Sequence, residues 1–126
     1  MRTIRITVDS ITCEGELADT DCARAIWDAL PLSTAANTWG DEIYFSIPVQ
    51  EDLDGTAQEV VSMGDLGYWP QGAAFCIFFG PTPLSQGEEI RPASAVNIVG
   101  RITGDPTVFR NVPAGSQISV EKNEDA

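Results

Sequence analysis

Histidine is absent from the chain of 126 residues, and basic side chains are few. Without histidine a Ser-His-Asp triad cannot be built, and a zinc site is poorly supported. Seven basic residues stand against 19 acidic residues, and the net charge of -12 disfavours binding to phosphate backbones or anionic membrane surfaces. The composition therefore predicts no nucleic-acid partner, no membrane partner, no metal and no cofactor.

Long apolar runs are also missing. No stretch approaches the roughly 18 continuous apolar residues of a membrane-spanning helix. Residues 1–8 alternate between polar and apolar side chains, whereas a secretion signal contains an apolar block. The three cysteines, Cys13, Cys22 and Cys76, cannot all pair within one chain. We therefore expect reduced thiols and a cytoplasmic protein.

Short strands dominate the hydrophobic pattern. Period-two alternation is typical of half-buried strands, and an unbroken apolar run at residues 73–79, between Gly72 and Gly80, predicts a strand buried on both faces. We expect Gly15 to weaken or bulge the strand that contains it. The other predicted strands cover residues 2–8, 11–17, 33–39, 42–47, 95–102 and 115–121.

Two short helices are predicted between the strands. The first begins after Asp19 or Thr20, either of which can cap it, and ends at Pro31, because the residue before proline avoids helical geometry. A second helix is predicted from Asp105 to Val112, where an Asp-Pro pair favours a helix start. The apolar stripe of the first helix consists of Ala23, Ile26, Trp27 and Leu30, all expected to pack on the core.

The order of these elements narrows the fold class. Strands and helices do not alternate regularly, which argues against a doubly wound sheet and favours a closed barrel or a sandwich. Closure would also protect so apolar a strand as 73–79 from edge-to-edge pairing. Residues 57–63 remain open between a short helix and a strand. The length of the chain predicts a single domain over residues 1–126.

Four sequence stretches resemble a known family. They are NTWGDEIYF at residues 37–45, GDLGYWP at 64–70, FFGPTP at 78–83 and ASAVN at 93–97. Together they are similar to small bacterial and archaeal cyclophilin-like proteins of uncharacterised function. The resemblance implies a mainly β fold, a closed eight-stranded cyclophilin-like barrel with two short helices. It implies no established activity.

True cyclophilins are prolyl isomerases, and their catalytic positions can be matched on short motifs. The family uses an arginine, a glutamine, a phenylalanine, a histidine and a tryptophan. At or near those positions this chain has Phe45, Ala74, Cys76, Val96 and Arg91, respectively. The matched positions therefore lack the standard catalytic set, and the catalytic residues, if any exist, stay unknown.

Large aromatic side chains are the main candidates for a binding site, because there are more of them than a small core absorbs easily. Thr82 belongs to the matched stretch 78–83, and Arg91 is a cation in the long loop that precedes the strand at 95–102. The predicted ligand-binding residues are Trp39, Tyr44, Tyr68, Trp69, Phe79, Thr82 and Arg91.

Several of these residues have a structural explanation as well. Residues 68–70 could close one barrel end by aromatic–proline packing. Asp41 and Glu42 either form a solvated turn or, beside Trp39 and Tyr44, an acidic and aromatic group suited to a sugar or a cation. Asn97 lies among apolar neighbours and requires a hydrogen-bonding partner if it is buried.

The sequence leaves three hypotheses on function. The leading one is a binding module for a peptide or a small molecule, without isomerase activity. The alternative is a prolyl isomerase whose catalytic cation has moved, with Arg91 as the candidate. The third is a subunit that forms a homodimer through an aromatic face.

Overall fold

The computed structural model describes residues 2–123, which consist mainly of antiparallel strands. Within that range the chain has nine strands, one α-helix and two short 3₁₀ helices. The strands are β1 (Arg2–Val8), β2 (Ile11–Leu17), β3 (Leu32–Ala35), β4 (Asn37–Thr38), β5 (Glu42–Ser46), β6 (Asp65–Trp69), β7 (Ala74–Phe78), β8 (Asn97–Ile102) and β9 (Gln117–Lys122). No helix among these residues is long and apolar enough to cross a membrane.

The nine strands form one sheet that curls into a nearly closed barrel. Its order is β3-β9-β1-β2-β8-β6-β7-β5-β4, so that β3 and β4 lie at the two ends of the order. These two strands are joined by Ala36 alone, whose N–H donates to the Ser116 carbonyl and whose carbonyl accepts from the Gly115 N–H, both at 2.8 Å. One short segment of chain therefore brings both ends of the sheet together.

The strand count differs from the eight strands that the family resemblance implies. The single strand expected at residues 33–39 is divided at Ala36 into β3, which pairs with β9, and β4, which pairs with β5. The division arises because the backbone groups of Ala36 bond to residues 115–116. The mainly β prediction is confirmed, and the strand count is corrected to nine.

The helix α1 (Asp21–Ala29) forms where the sequence predicts it. The Thr20 hydroxyl accepts a hydrogen bond from the Ala23 N–H at 3.1 Å, which caps the first turn. Ile26 is fully buried, whereas Trp27 is only partly buried at the edge of the core, with the Lys122 ammonium 4.9 Å from its ring centroid. The helix packs its apolar stripe on the core of the barrel.

The second predicted helix is instead a 3₁₀ helix at Pro106–Phe109. Its hydrogen bonds join N–H groups to carbonyls three residues earlier, as in the bond from the Arg110 N–H to the Thr107 carbonyl at 3.1 Å. Pro113 follows and has no N–H to continue the pattern. The structure therefore has one α-helix where two short helices were expected.

The backbone structure decides two further predictions, one for residues 57–63 and one for Gly15. Residues 57–63 form neither a helix nor a named strand, and only isolated bridges join Gln58 to Val96 and Val61 to Ile90. The expected irregularity at Gly15 is absent, because β1 and β2 pair without interruption. A Cβ atom at Gly15 would lie 2.9 Å from the Arg101 carbonyl oxygen, so this glycine allows β8 to approach closely.

The strand β7 is buried along its whole length, as its apolar sequence predicts. Phe75 and Ile77 belong to the core inside the barrel. Cys76 and Phe78 point to the opposite, outer face, where loop residues such as Ile90 cover them. The barrel thus has a second apolar layer outside one part of its wall.

Candidate functional site

A pocket of about 250 Å³ opens on this outer layer of the barrel wall. Strands β5 and β6 contribute its floor and one side, and the loop before β8 contributes the other side. The lining residues are Trp39, Glu42, Tyr44, Trp69, Pro92, Ala93 and Val96. Three of them carry large aromatic rings, and the carboxyl of Glu42 is the single charged group in this lining.

Strand geometry places the floor of the pocket. Glu42 and Tyr44 are two residues apart on β5, so their side chains share one face. Across the ladder Glu42 pairs with Phe78 and Tyr44 pairs with Cys76, both on the outer face of β7. The acid therefore lies on a largely apolar wall.

Trp69 forms a side of the pocket and is held from two directions. Its indole N–H donates a hydrogen bond to the Ser94 hydroxyl at 2.7 Å. The six-membered part of the ring lies against Gly72, where an added Cβ atom would come within 2.8 Å of it. Because both contacts involve loops next to β6 and β8, the ring orientation is set before any ligand arrives.

Trp39 is positioned by a tight turn that leads into β5. The backbone N–H of Trp39 donates to the Glu42 carbonyl at 2.9 Å, and the backbone N–H of Asp41 donates to the Pro81 carbonyl at 3.0 Å. Gly40 has a positive φ of 59°, and a Cβ atom there would lie 2.9 Å from the Cα of Thr82. A glycine is therefore needed for this turn to pack against the following loop.

Glu42 is the chemically distinctive member of the pocket. Only 5% of the residue is exposed, and burial raises the pKa of its carboxyl to about 7, while the neighbouring Cys76 thiol opposes that rise. Burial and the nearby carboxylate likewise raise the pKa of the Cys76 thiol well above its usual value. Near neutral pH the carboxyl can therefore act as an anion or as a proton donor.

The structure brings together three of the residues predicted to bind a ligand. Trp39, Tyr44 and Trp69 all line the pocket and are partly exposed. The ring of Tyr68 points to the interior instead, because it neighbours Trp69 on β6, and its hydroxyl donates to the Val49 carbonyl at 2.6 Å. Phe79 is also interior, with its ring 6.0 Å from that of Phe109 between centroids.

The other two predicted residues organise a loop beside the pocket. The hydroxyl of Thr82 donates to the backbone carbonyl of Arg91 and thereby closes the loop between them. The Nε of Arg91 lies 3.4 Å from a carboxylate oxygen of Glu89. Neither residue belongs to the pocket lining, and a binding role for either one stays a prediction.

Some lining residues were not among the predicted ligand-binding set. The sequence groups Glu42 with Asp41, and the spacing of Glu42 from Tyr44 on a strand places both side chains on the face that lines the pocket. Pro92, Ala93 and Val96 enter through a loop that folds back from elsewhere in the sequence. No local pattern reveals that contact.

A larger and more polar hollow of about 740 Å³ lies elsewhere, over the acidic loop at residues 50–56 and the start of α1. Asn97 is fully buried beneath this loop, where its amide nitrogen donates to the Asp52 carbonyl and its amide oxygen accepts from the Asp54 N–H. Among residues 2–123, no group of three or more Cys, Asp or Glu side chains is arranged to hold a metal ion. The polar contacts here fix the loop.

The nearly closed barrel, its single helix and the pocket on its outer wall define a small antiparallel β-barrel protein. The chain belongs to the cyclophilin-like family, whose sequence profile matches residues 2–121. This match confirms the resemblance recognised in the sequence motifs.

One solved structure similar to this chain is the solution structure of a hypothetical protein from Archaeoglobus fulgidus. The two sequences are 42% identical, the match covers 97% of this chain and 95% of the archaeal one, and the TM-score is 0.82. None of the curated proteins compared with the chain gives a significant match. The chain therefore shares its fold and family with this archaeal protein.

Proposed function

We propose that the protein is a binding module whose outer-wall pocket accepts a small molecule or a side chain of a peptide. The observation that carries the proposal is the concave site walled by Trp39, Tyr44 and Trp69, three large rings that remain partly exposed. Ligand sites are typically concave and mainly apolar, with a few polar groups that orient the ligand. Glu42 supplies such a group.

The size and rigidity of the pocket support this proposal. Its volume of about 250 Å³ lies just below the range of about 300–1,000 Å³ that is usual for small-molecule sites. It suits a small metabolite or one side chain better than a large cofactor. Because Trp69 is fixed by Ser94 and by Gly72, little conformational entropy is lost when a ligand stacks on its ring.

The alternative function, a prolyl isomerase, has less structural support. Such an enzyme needs a donor beside the prolyl nitrogen, because the barrier to rotation about a peptide bond is about 18–20 kcal/mol. Arg91 pairs with Glu89, and its side chain is not part of the pocket lining. The cation proposed for that role is thus engaged outside the pocket.

Tryptophan fluorescence tests the binding proposal directly, with a library of small metabolites and proline peptides as probes. We expect at least one ligand whose affinity falls about tenfold in Trp39→Ala or Trp69→Leu, since stacking area is lost. Trp27→Phe is the matched control, because Trp27 lies on α1 against Lys122 and outside the pocket lining. Absence of any ligand at millimolar concentration would overturn the proposal.

A coupled assay with prolyl peptides separates the two functions. The binding proposal predicts no acceleration of isomerisation above the uncatalysed rate. An acceleration that Arg91→Ala abolishes would establish the isomerase alternative instead.

A further inference from the structure

Among residues 2–123, no basic side chain forms a salt bridge with the buried carboxyl of Glu42. The salt bridges within this range join Arg2 to Asp19, Arg24 to Asp19 and Asp21, and Arg91 to Glu89. No lysine or arginine belongs to the pocket lining. Because a buried carboxylate is costly without a charged partner, the pocket is electrostatically incomplete as it stands.

The aromatic rings of the pocket add to the same electrostatic preference. The face of an aromatic ring carries a partial negative charge and attracts cations, and tryptophan is the strongest side chain in this respect. Two of the three rings in the lining, Trp39 and Trp69, are tryptophans. The indole N–H of Trp69 is already bonded to Ser94, so this donor is not available to an anionic ligand.

The charge of the whole chain acts in the same direction. A net charge of -12 raises the local concentration of cations and opposes the approach of anions. The pocket surroundings and the chain therefore both favour a positively charged ligand.

We infer that the ligand of this pocket carries a positively charged nitrogen, an organic ammonium ion, which pairs with the carboxylate of Glu42 and packs on the rings of Trp39, Tyr44 and Trp69. This inference rests on the proposed binding function and specifies the chemical class of its ligand. The three rings enclose the apolar substituents of the ammonium group, and Glu42 on the floor neutralises its charge.

A pair of ligands with the same shape and different charge provides the test. Choline carries a trimethylammonium group, and 3,3-dimethylbutan-1-ol is its neutral carbon counterpart. We expect choline to bind the wild-type protein about tenfold more tightly than the neutral alcohol, as Coulomb attraction to the carboxylate and cation–π attraction to the rings would give. Titrations followed by tryptophan fluorescence measure both affinities.

Two variants assign the effect to one carboxyl group. Glu42→Gln keeps the shape of the side chain and removes its charge, so the preference for choline should fall to about threefold or less, the part due to the rings alone. Glu59→Gln is the matched control, because Glu59 is exposed and outside the pocket lining. Thermal unfolding confirms that both variants fold.

A second measurement uses only the wild-type protein. Carbon-detected NMR of the Glu42 carboxyl should show that a saturating concentration of choline lowers its pKa, since the bound cation stabilises the carboxylate. Binding of choline without any change in that pKa would overturn the inference.

The outcomes separate this inference from the proposed function. If the neutral alcohol or other uncharged ligands bind as tightly as choline, and Glu42→Gln has no effect, the pocket binds ligands but its cation preference is refuted. Tighter binding of carbonyl compounds at low pH would indicate that Glu42 acts as a proton donor, which also refutes it. If neither member of the pair binds and the wider library yields no ligand, the binding function itself fails.

Discussion

The indole nitrogen of Trp69 and the hydroxyl oxygen of Ser94 lie 2.7 Å apart and join two sides of the pocket through one hydrogen bond. Trp69 ends β6, whereas Ser94 directly follows the two lining residues Pro92 and Ala93. The aromatic wall and the loop opposite it are therefore coupled. The shape of the pocket depends on this bond as well as on the barrel beneath it.

Removal of that bond should loosen Trp69. In Ser94→Ala we expect a loss of about 1 kcal/mol in the free energy of unfolding, together with faster exchange of the Trp69 indole proton. Urea unfolding and NMR measure the two effects. Ser62→Ala is the control, because Ser62 is exposed and its hydrogen bonds to Asp65 use its backbone N–H and carbonyl. An unchanged exchange rate of the Trp69 indole proton would contradict the prediction.

The space at Gly72 controls the position of the same ring. A Cβ atom at this residue would lie 2.8 Å from the Trp69 ring, so Gly72→Ala should displace the ring and cost about 1–3 kcal/mol of stability. Gly55→Ala is the matched control, since nothing lies within 4 Å of its added Cβ atom. Denaturant unfolding and the wavelength of tryptophan emission report the change.

A double-mutant cycle tests whether that cost arises at the ring. In the background of Trp69→Leu, which removes the ring, Gly72→Ala should cost clearly less than it does in the wild-type protein. Equal costs in both backgrounds would show that Gly72 is constrained by its own backbone and not by Trp69.

The buried carboxyl of Glu42 should make stability depend on pH. Its pKa is about 7 in the folded protein, against 4.5 for the free group. The folded state therefore holds this proton more strongly, and the contribution of Glu42 to stability is greatest below about pH 4.5 and falls as the pH rises to about 7. The full loss is about 3 kcal/mol. The titratable groups facing it are the Cys76 thiol on β7 and Tyr44 on its own strand.

Comparison with Glu42→Gln isolates this effect from the other carboxyl groups. The difference in free energy of unfolding between the variant and the wild-type protein should shift in favour of the variant by about 3 kcal/mol when the pH is raised from about 4 to 8. Urea unfolding at both pH values measures this shift. Glu59→Gln should show no such trend. A relative stability of Glu42→Gln that is independent of pH would contradict the assigned burial of the charge.

Asn97 should be important for the acidic loop. Both ends of its amide are bonded to the loop backbone, at 2.9 Å to the Asp52 carbonyl and at 2.8 Å to the Asp54 N–H. Asn97→Ala should therefore lower the free energy of unfolding by about 2 kcal/mol and speed hydrogen exchange at the Asp54 amide. Asn111→Ala, at an exposed position, should change neither quantity.

Much of the regular structure could be predicted from local patterns. The apolar run at residues 73–79 indicates a strand buried on both faces, and β7 is such a strand. Thr20 and Pro31 mark the two ends of the region that forms α1. These elements are predictable because side-chain periodicity and backbone capping act over only a few residues.

Barrel closure could not be read from such patterns. The division of one expected strand into β3 and β4 depends on bonds between Ala36 and residues 115–116, which lie far apart in the sequence. Alternation along a strand does not record which neighbour each residue pairs with. The strand count therefore depends on long-range pairing that local patterns do not encode.

The candidate site was predictable only in part, for a related reason. Tyr68 and Trp69 are adjacent, and both are predicted from the sequence as ligand contacts. Because side chains alternate along a strand, Tyr68 lies in the core and Trp69 lines the pocket. Which of two neighbouring rings faces outward depends on the register of β6 in the barrel. Pro92 and Val96 reach the pocket through loop folding, which a local pattern does not encode.

Ala36 couples distant parts of the molecule mechanically. On the N-terminal side of Ala36, β3 pairs with the final strand, β9. On its C-terminal side, β4 pairs with β5, which carries Glu42 and Tyr44. Pulling or unzipping β9 would therefore strain the floor of the pocket through a single residue. The residue that closes the barrel therefore also transmits mechanical force from the last strand to the outer wall.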